Sequence, residues 1–221
     1  MRKLSLLLLP ISLIASCSKA ELRSDIKEFI SGFSLTESME IYKKAGYHST
    51  LESVVSNEKK NEYDEVSFDI RDDANISYTH TLTTYINDSL SSSESETIVT
   101  EDGKYIHTRN GSSDEYTASD CSKLVRTYFY RSEPVEGFHD YAMYYGDYIS
   151  GVALRLQSAM TVDKENNTLT LEYTINDTSN DARVEQIIKV GSTGMLLYTK
   201  NKTTKLSTGE YVAREITTFK D

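Results

Sequence analysis

Four histidines and two cysteines are the side chains of this 221-residue chain best suited to metal binding or nucleophilic chemistry. Their spacing assembles no familiar machinery. His48, His80, His107 and His139 never fall at the separations that pair two zinc ligands on one element, and Cys121 has no neighbouring cysteine to share a metal with. The sequence holds no Gly-X-Ser-X-Gly elbow and no phosphate-cradling glycine loop. His139-Asp140 is an adjacent pair, but neighbours in sequence point to different sides of any regular element, so a solvated turn is the simpler account. Asp72-Asp73 likewise reads as part of a turn rather than as a calcium site. His80 falls on the apolar side of an alternating segment, where a satisfied core or rim histidine is the default and a proton switch is the alternative. Cys121 shares a helical face with Leu124, Val125 and Tyr128, and reads as a packed thiol with no basic partner on that face to activate it. These residues predict a protein that is not an enzyme and uses no cofactor and no metal.

Chemistry of another kind is written at Cys17. Arg2 and Lys3 precede the apolar run Leu4–Leu9, Pro10 interrupts it, and the small residues Ala15 and Ser16 stand immediately before the cysteine. The run is shorter than the roughly 20 residues needed to span a bilayer. Leu13–Cys17 resembles the lipobox of bacterial lipoproteins. That resemblance implies removal of residues 1–16 as a signal peptide and lipidation of Cys17. It also implies an extracytoplasmic protein anchored to the bacterial cell membrane through that lipid. Residues 17–23 then form a lipidated cysteine and short tether, and 24–221 a single α+β domain.

Composition narrows the partners. A net charge of −10, made more negative once Arg2 and Lys3 are removed, argues against nucleic acid and against docking onto anionic lipid through the protein surface. Sixteen tyrosines, no tryptophan and two prolines, with abundant Thr and Ser, favour strands. The tyrosines concentrate around Tyr128–Tyr148. Tyrosine offers a large ring with a polar tip, so these side chains either seal a helical layer or display an interaction surface, with Tyr141, Tyr144, Tyr145 and Tyr148 as its candidate residues.

The elements that must position these groups follow from periodicity. Ile26, Phe29, Ile30 and Phe33 have helical spacing behind Ser24 as N-cap, and Ser34 with Glu37 forms a capping box for a second helix. Leu51, Val54 and Val55 extend a helical pattern to about Asn57, and residues 57–62 read as a loop. From Tyr63 the period becomes two: Val66, Phe68 and Ile70 alternate with polar residues, as do Ile76, Tyr78, His80 and Leu82. Ser89–Ser95 reads as a flexible connection before strands at 96–101 and 104–109, joined by an Asp-Gly hairpin signal at 102–103. Helices are expected at 119–130 and 147–160. A second meander follows, with Leu169, Leu171, Tyr173 and Ile175 on one face and further strands near 183–190, 195–205 and 210–219.

Helix, long meander, helical insertion and closing hairpins resemble the LolA/LolB and LppX/LprG group of bacterial envelope proteins. The segment Val190-Gly191-Ser192-Thr193-Gly194-Met195-Leu196 is similar to the hairpin that closes their sheets. The resemblance implies a curved antiparallel sheet of about eight strands in two meanders, an incomplete barrel covered on one face by helices. It also implies a pocket between the layers for a lipid or other hydrophobic ligand. Phe68, Ile70, Tyr78, Leu82, Leu171 and Tyr173 are its candidate lining residues, although any sheet–helix core requires the same side chains. The alternative is a filled core whose tyrosine-rich, acidic surface binds an envelope protein or a glycan, as an adhesin would.

Overall fold

The computed structural model describes residues 21–72, 75–117 and 144–220, with the backbone alone at a few positions that include Phe68 and Ile70. Period-two structure is more extensive than the sequence suggests. The first meander contains β1 (Ala45–Val55), β2 (Glu58–Asp72), β3 (Asn75–Ile86), β4 (Ser89–Glu101), β5 (Lys104–Arg109) and β6 (Ser112–Tyr116). The second contains β7 (Met160–Asp163), β8 (Thr168–Asp177), β9 (Ala182–Gly191), β10 (Leu196–Lys205) and β11 (Tyr211–Lys220). They form one open antiparallel sheet of eleven strands, not eight, in the order β6-β5-β4-β3-β2-β1-β11-β10-β9-β8-β7. The two meanders therefore meet at the centre, where Ala45 lies opposite Lys220 and Val54 opposite Tyr211.

Tight turns account for the extra strands. Ser56-Asn57, Asn87-Asp88, Asp102-Gly103 and Asn110-Gly111 each place two consecutive residues at positive φ. This is the two-residue hairpin geometry whose twist matches that of paired strands. The expected helix through Val54 and Val55 is thus the end of β1, and the expected loop at 57–62 is a turn followed by the start of β2. The serine-rich stretch 89–95 is strand as well. Its side chains are exposed, and it is held by backbone pairing to β3.

Among the described residues three helices accompany the sheet: α1 (Ser24–Ile30), α2 (Leu35–Tyr42) and α3 (Gly146–Leu156), the last followed by a 3-10 turn at Gln157–Ala159. None of the described helices is long and apolar enough to cross a membrane. Ser24 begins α1 rather than capping it, and Arg23 takes the cap position. Ser34 does cap α2, since its Oγ accepts the Glu37 backbone N–H at 3.2 Å. Met160, expected to end a helix, instead opens β7. The helix expected at 119–130 lies outside the described residues.

The helices gather on the turn between β9 and β10. Ser34 N donates to Thr193 O at 2.8 Å, Ser38 Oγ lies 2.8 Å from Thr193 Oγ1, and Tyr145 N donates to Gly194 O at 2.9 Å. Gly194 has φ +85°, and a Cβ there would stand 2.9 Å from the Gly146 Cα. The position needs glycine for both its left-handed backbone and its close approach to α3. Arg23 completes the tie by donating to the carbonyls of Gln157 and Met160, each at 3.0 Å. Beneath the helices Ile26, Tyr42, Ile149, Leu169, Leu171, Ile188 and Leu196 are sealed from solvent.

Candidate functional site

Strand register sorts the side chains into two faces. On the inner face, Met160, Leu171, Ile188, Thr199, Ile216, Ser49, Asp64 and Leu82 stand in one row across β7 to β3. Tyr47, Val66 and His80 belong to the adjacent row, followed by Phe68, Tyr78, Ile98 and His107. The face is apolar at its centre, with Tyr47, Val66, Tyr78, Ile98 and Ile188 all buried.

Four of the six residues predicted to line a pocket, Tyr78, Leu82, Leu171 and Tyr173, have side chains on this face. Tyr78 and Leu171 are fully buried, Leu82 and Tyr173 are half-buried, and the backbones of Phe68 and Ile70 pair with those of Tyr78 and Ile76. Of the tyrosine cluster, Tyr144 bridges to Met195, Tyr145 is buried and Tyr148 is half-buried. The Tyr145 and Tyr148 rings meet edge-on at 6.4 Å. Burial pushes both phenols well above their ordinary pKa, and a hydrogen bond with Tyr173 adds to the effect at Tyr148. These two rings close the helical layer against β8. Tyr141 and Cys121, like His139-Asp140, lie outside the described residues, as does Cys17.

The inner face also brings together groups far apart in sequence. His80 Nε2 stands 2.9 Å from Asp64 Oδ1, and its Nδ1 stands 3.8 Å from Glu96 Oε2. Glu96 reaches on to His107, with 2.7 Å between Oε1 and Nε2. Tyr78 donates to Glu96 Oε2 at 3.4 Å, and the Tyr116 ring stacks on His107 at 4.1 Å. The result is a chain of Asp64, His80, Glu96 and His107 set into the rim of an apolar face, with His107 itself buried. The hydrogen-bonding contact with Asp64 holds the His80 imidazole above its ordinary pKa. Burial opposes the shift, and the charges of Asp64 and Glu96 reinforce it.

This cluster can store a proton between two carboxylates, and it offers an amphipathic ligand a polar end to an apolar surface. Among the described residues no group of three His, Cys, Asp or Glu side chains is placed to hold a metal ion. A second polar group lies further along the same face: Asn201 Nδ2 donates to Oε1 of the buried Gln186 at 2.7 Å.

His80 was legible as an inner-face residue, but its partners Asp64, Glu96 and His107 were not. One signal was available. The Asp102-Gly103 turn fixes the β4–β5 register, which sets Ile98 opposite His107 and brings Glu96 within diagonal reach of it.

No protein-family model and no curated protein matches the chain. Among solved structures it is similar to a domain from Vibrio parahaemolyticus provisionally described as an outer membrane lipoprotein-sorting protein. That match has 9% identity over 87% of this chain and 91% of the other, with a TM-score of 0.24. It is also similar to a β-barrel-like protein from Brucella abortus, a domain of unknown function, at 9% identity over 80% of this chain and 98% of the other, with a TM-score of 0.19. Likenesses this distant say nothing about a ligand, so function rests on the side chains.

Proposed function

We propose that the protein is a lipid-anchored extracytoplasmic binding protein that holds a lipid or other hydrophobic ligand between its sheet and its covering segments. It acts by binding rather than by catalysis, and its anchor is the lipid on Cys17. The observation that supports this reading is the inner face itself. Apolar side chains extend from Ile98 and Tyr78 through Val66 and Tyr47 on one side and from Ile216 to Ile188 and Leu171 on the other, with the buried hydroxyls of Ser49 and Thr199 among them. The described helices pack chiefly on β1 and β7. An acyl chain lying along such a face gains about 0.8 kcal/mol for each methylene removed from water. The His80–Glu96 cluster at the rim supplies hydrogen-bonding partners for a polar head.

The test is to purify the chain gently from membranes, extract it with organic solvent and analyse the extract by lipid mass spectrometry. A single lipid class recovered in stoichiometric amount supports the reading. Its absence, together with failure to bind fluorescent fatty-acid probes, refutes it. Cys17→Ser, which removes the acceptor of the anchor, is expected to shift the protein from the detergent-rich to the aqueous phase.

A further inference from the structure

The outer face of the same sheet carries two different chemistries. Over β9 to β11 it is a wet face braced by charge: Lys200 pairs with Glu215, Arg183 with Glu185 at 3.0 Å, and Lys202 Nζ sits 4.6 Å from the centre of the Tyr211 ring. Over β2 to β4 hydroxyls and rings stand among fewer charged pairs. Ser67, Thr79, Thr81, Thr83, Ser93, Ser95 and Thr97 occupy that face by register. Within this region Asn61, Tyr63, Glu65, Thr81, Thr83, Tyr85 and Asp88 line a groove of about 490 Å³.

We propose that this groove is a binding site for a short neutral oligosaccharide. A sugar ring has an apolar C–H face and a rim of hydroxyls. The first suits the exposed face of an aromatic ring, and the second suits side chains that accept or donate in a plane. Tyr63 supplies the ring. It is 48% exposed, and the Tyr85 ring stands nearly perpendicular to it at 6.0 Å. Asn61 and the threonine hydroxyls supply groups that both donate and accept.

Glu65 and Asp88 supply carboxylates, each with a nitrogen beside one oxygen. His48 Nδ1 is 3.2 Å from Glu65 Oε1, and Lys59 Nζ is 3.3 Å from Asp88 Oδ1. Lys59 offsets the charge of Asp88, but Glu65 on a chain of net charge −10 disfavours uronic acids, sialic acids and phosphorylated glycans, which leaves neutral sugars as the favoured class.

The site is also built before a ligand arrives. The turn that carries Asp88 is pinned to β2 by the Asn87 N–H donating to Lys59 O at 2.8 Å, and by Asn87 Oδ1 accepting from Lys59 N at 3.0 Å. Little ordering is then left for binding to supply. The volume falls within the roughly 300–1,000 Å³ of small-molecule sites. Because the groove lies on the face opposite His80 and Leu171, this proposal stands or falls independently of lipid binding.

The test uses the full chain in mild detergent on an array of neutral oligosaccharides (gluco-, manno-, galacto- and N-acetylglucosamine series) printed beside their acidic counterparts, followed by calorimetry on the best binder. Selective binding to a neutral series is expected. Tyr63→Ala should weaken it by at least about tenfold, a loss typical of a central aromatic contact. The thermal midpoint should not move, and Tyr63→Phe should keep most of the affinity. No binding to any neutral series, equal binding to acidic glycans, or an unchanged affinity in Tyr63→Ala would overturn the proposal.

Discussion

Replacing Asp64 by Asn removes the main cause of the raised His80 pKa while keeping the shape of the side chain. Two unit charges 2.9 Å apart attract by about 6 kcal/mol at an effective dielectric of roughly 20. Withdrawing both from water offsets most of that, and hydrogen bonds to charged groups net about 1.5–3 kcal/mol. The pair is well enough buried to keep a contribution of that order, with side-chain exposures of 19% for His80 and 26% for Asp64.

Its pH dependence has a definite sign. The unfolded chain presents His80 at about 6.5, and the folded value lies higher. The stabilisation is therefore fully present below about pH 6.5 and is lost as pH rises through the folded value. Glu96 also faces His80, with Tyr78 and His107 on its far side, so the variant retains part of the shift. Urea unfolding followed by tyrosine fluorescence, in a chain without tryptophan, should show Asp64→Asn destabilised by about 1.5–3 kcal/mol near pH 6 and by clearly less near pH 9. A gap that stays constant or widens with pH would refute the placement of a proton on His80. His80→Gln should abolish the difference in slope between the two proteins.

Other perturbations probe the frame. Leu171→Ala empties a fully buried position between Met160 and Ile188 and should lower the unfolding free energy by about 2–5 kcal/mol in the same assay. Gly194→Ala forces a Cβ to 2.9 Å from the Gly146 backbone at φ +85°. It should lower stability by more than about 1 kcal/mol, read as a fall in thermal midpoint. Gln186→Ala strips the buried acceptor from Asn201 and should cost about 1–3 kcal/mol by urea unfolding, while Asn201→Ala alongside it should add less than its separate effect.

The strands that alternate apolar and polar residues were legible in sequence. Val66, Tyr78 and the Leu169–Ile175 series all face the interior as their period requires. Two strands were hidden for opposite reasons. In β1 the inward positions are Ala45, Tyr47, Ser49 and Leu51, and a buried serine breaks the hydrophobic period while Leu51, Val54 and Val55 imitate a helical one. In β4 the first seven residues are exposed, Leu90 included, so no buried side chain marks a face and only backbone pairing defines the strand. The histidine–carboxylate chain escaped because its members come from four strands. Their contact depends on register, which becomes readable only once every turn between them is known.

The central seam between β1 and β11 also governs the order in which the sheet can be completed. Each meander is assembled from neighbours joined mostly by short turns, whereas the seam unites Ala45 with Lys220 across nearly the whole described chain. Closing so long a loop is entropically the slowest step. A polypeptide delivered from its amino end must hold the bare edge of β1 until its last ten-residue strand emerges, and an unpaired central edge is a template for association with other chains. Loss of β11 would thus not shorten the sheet but divide it in two, leaving a pair of half-sheets with adhesive inner edges.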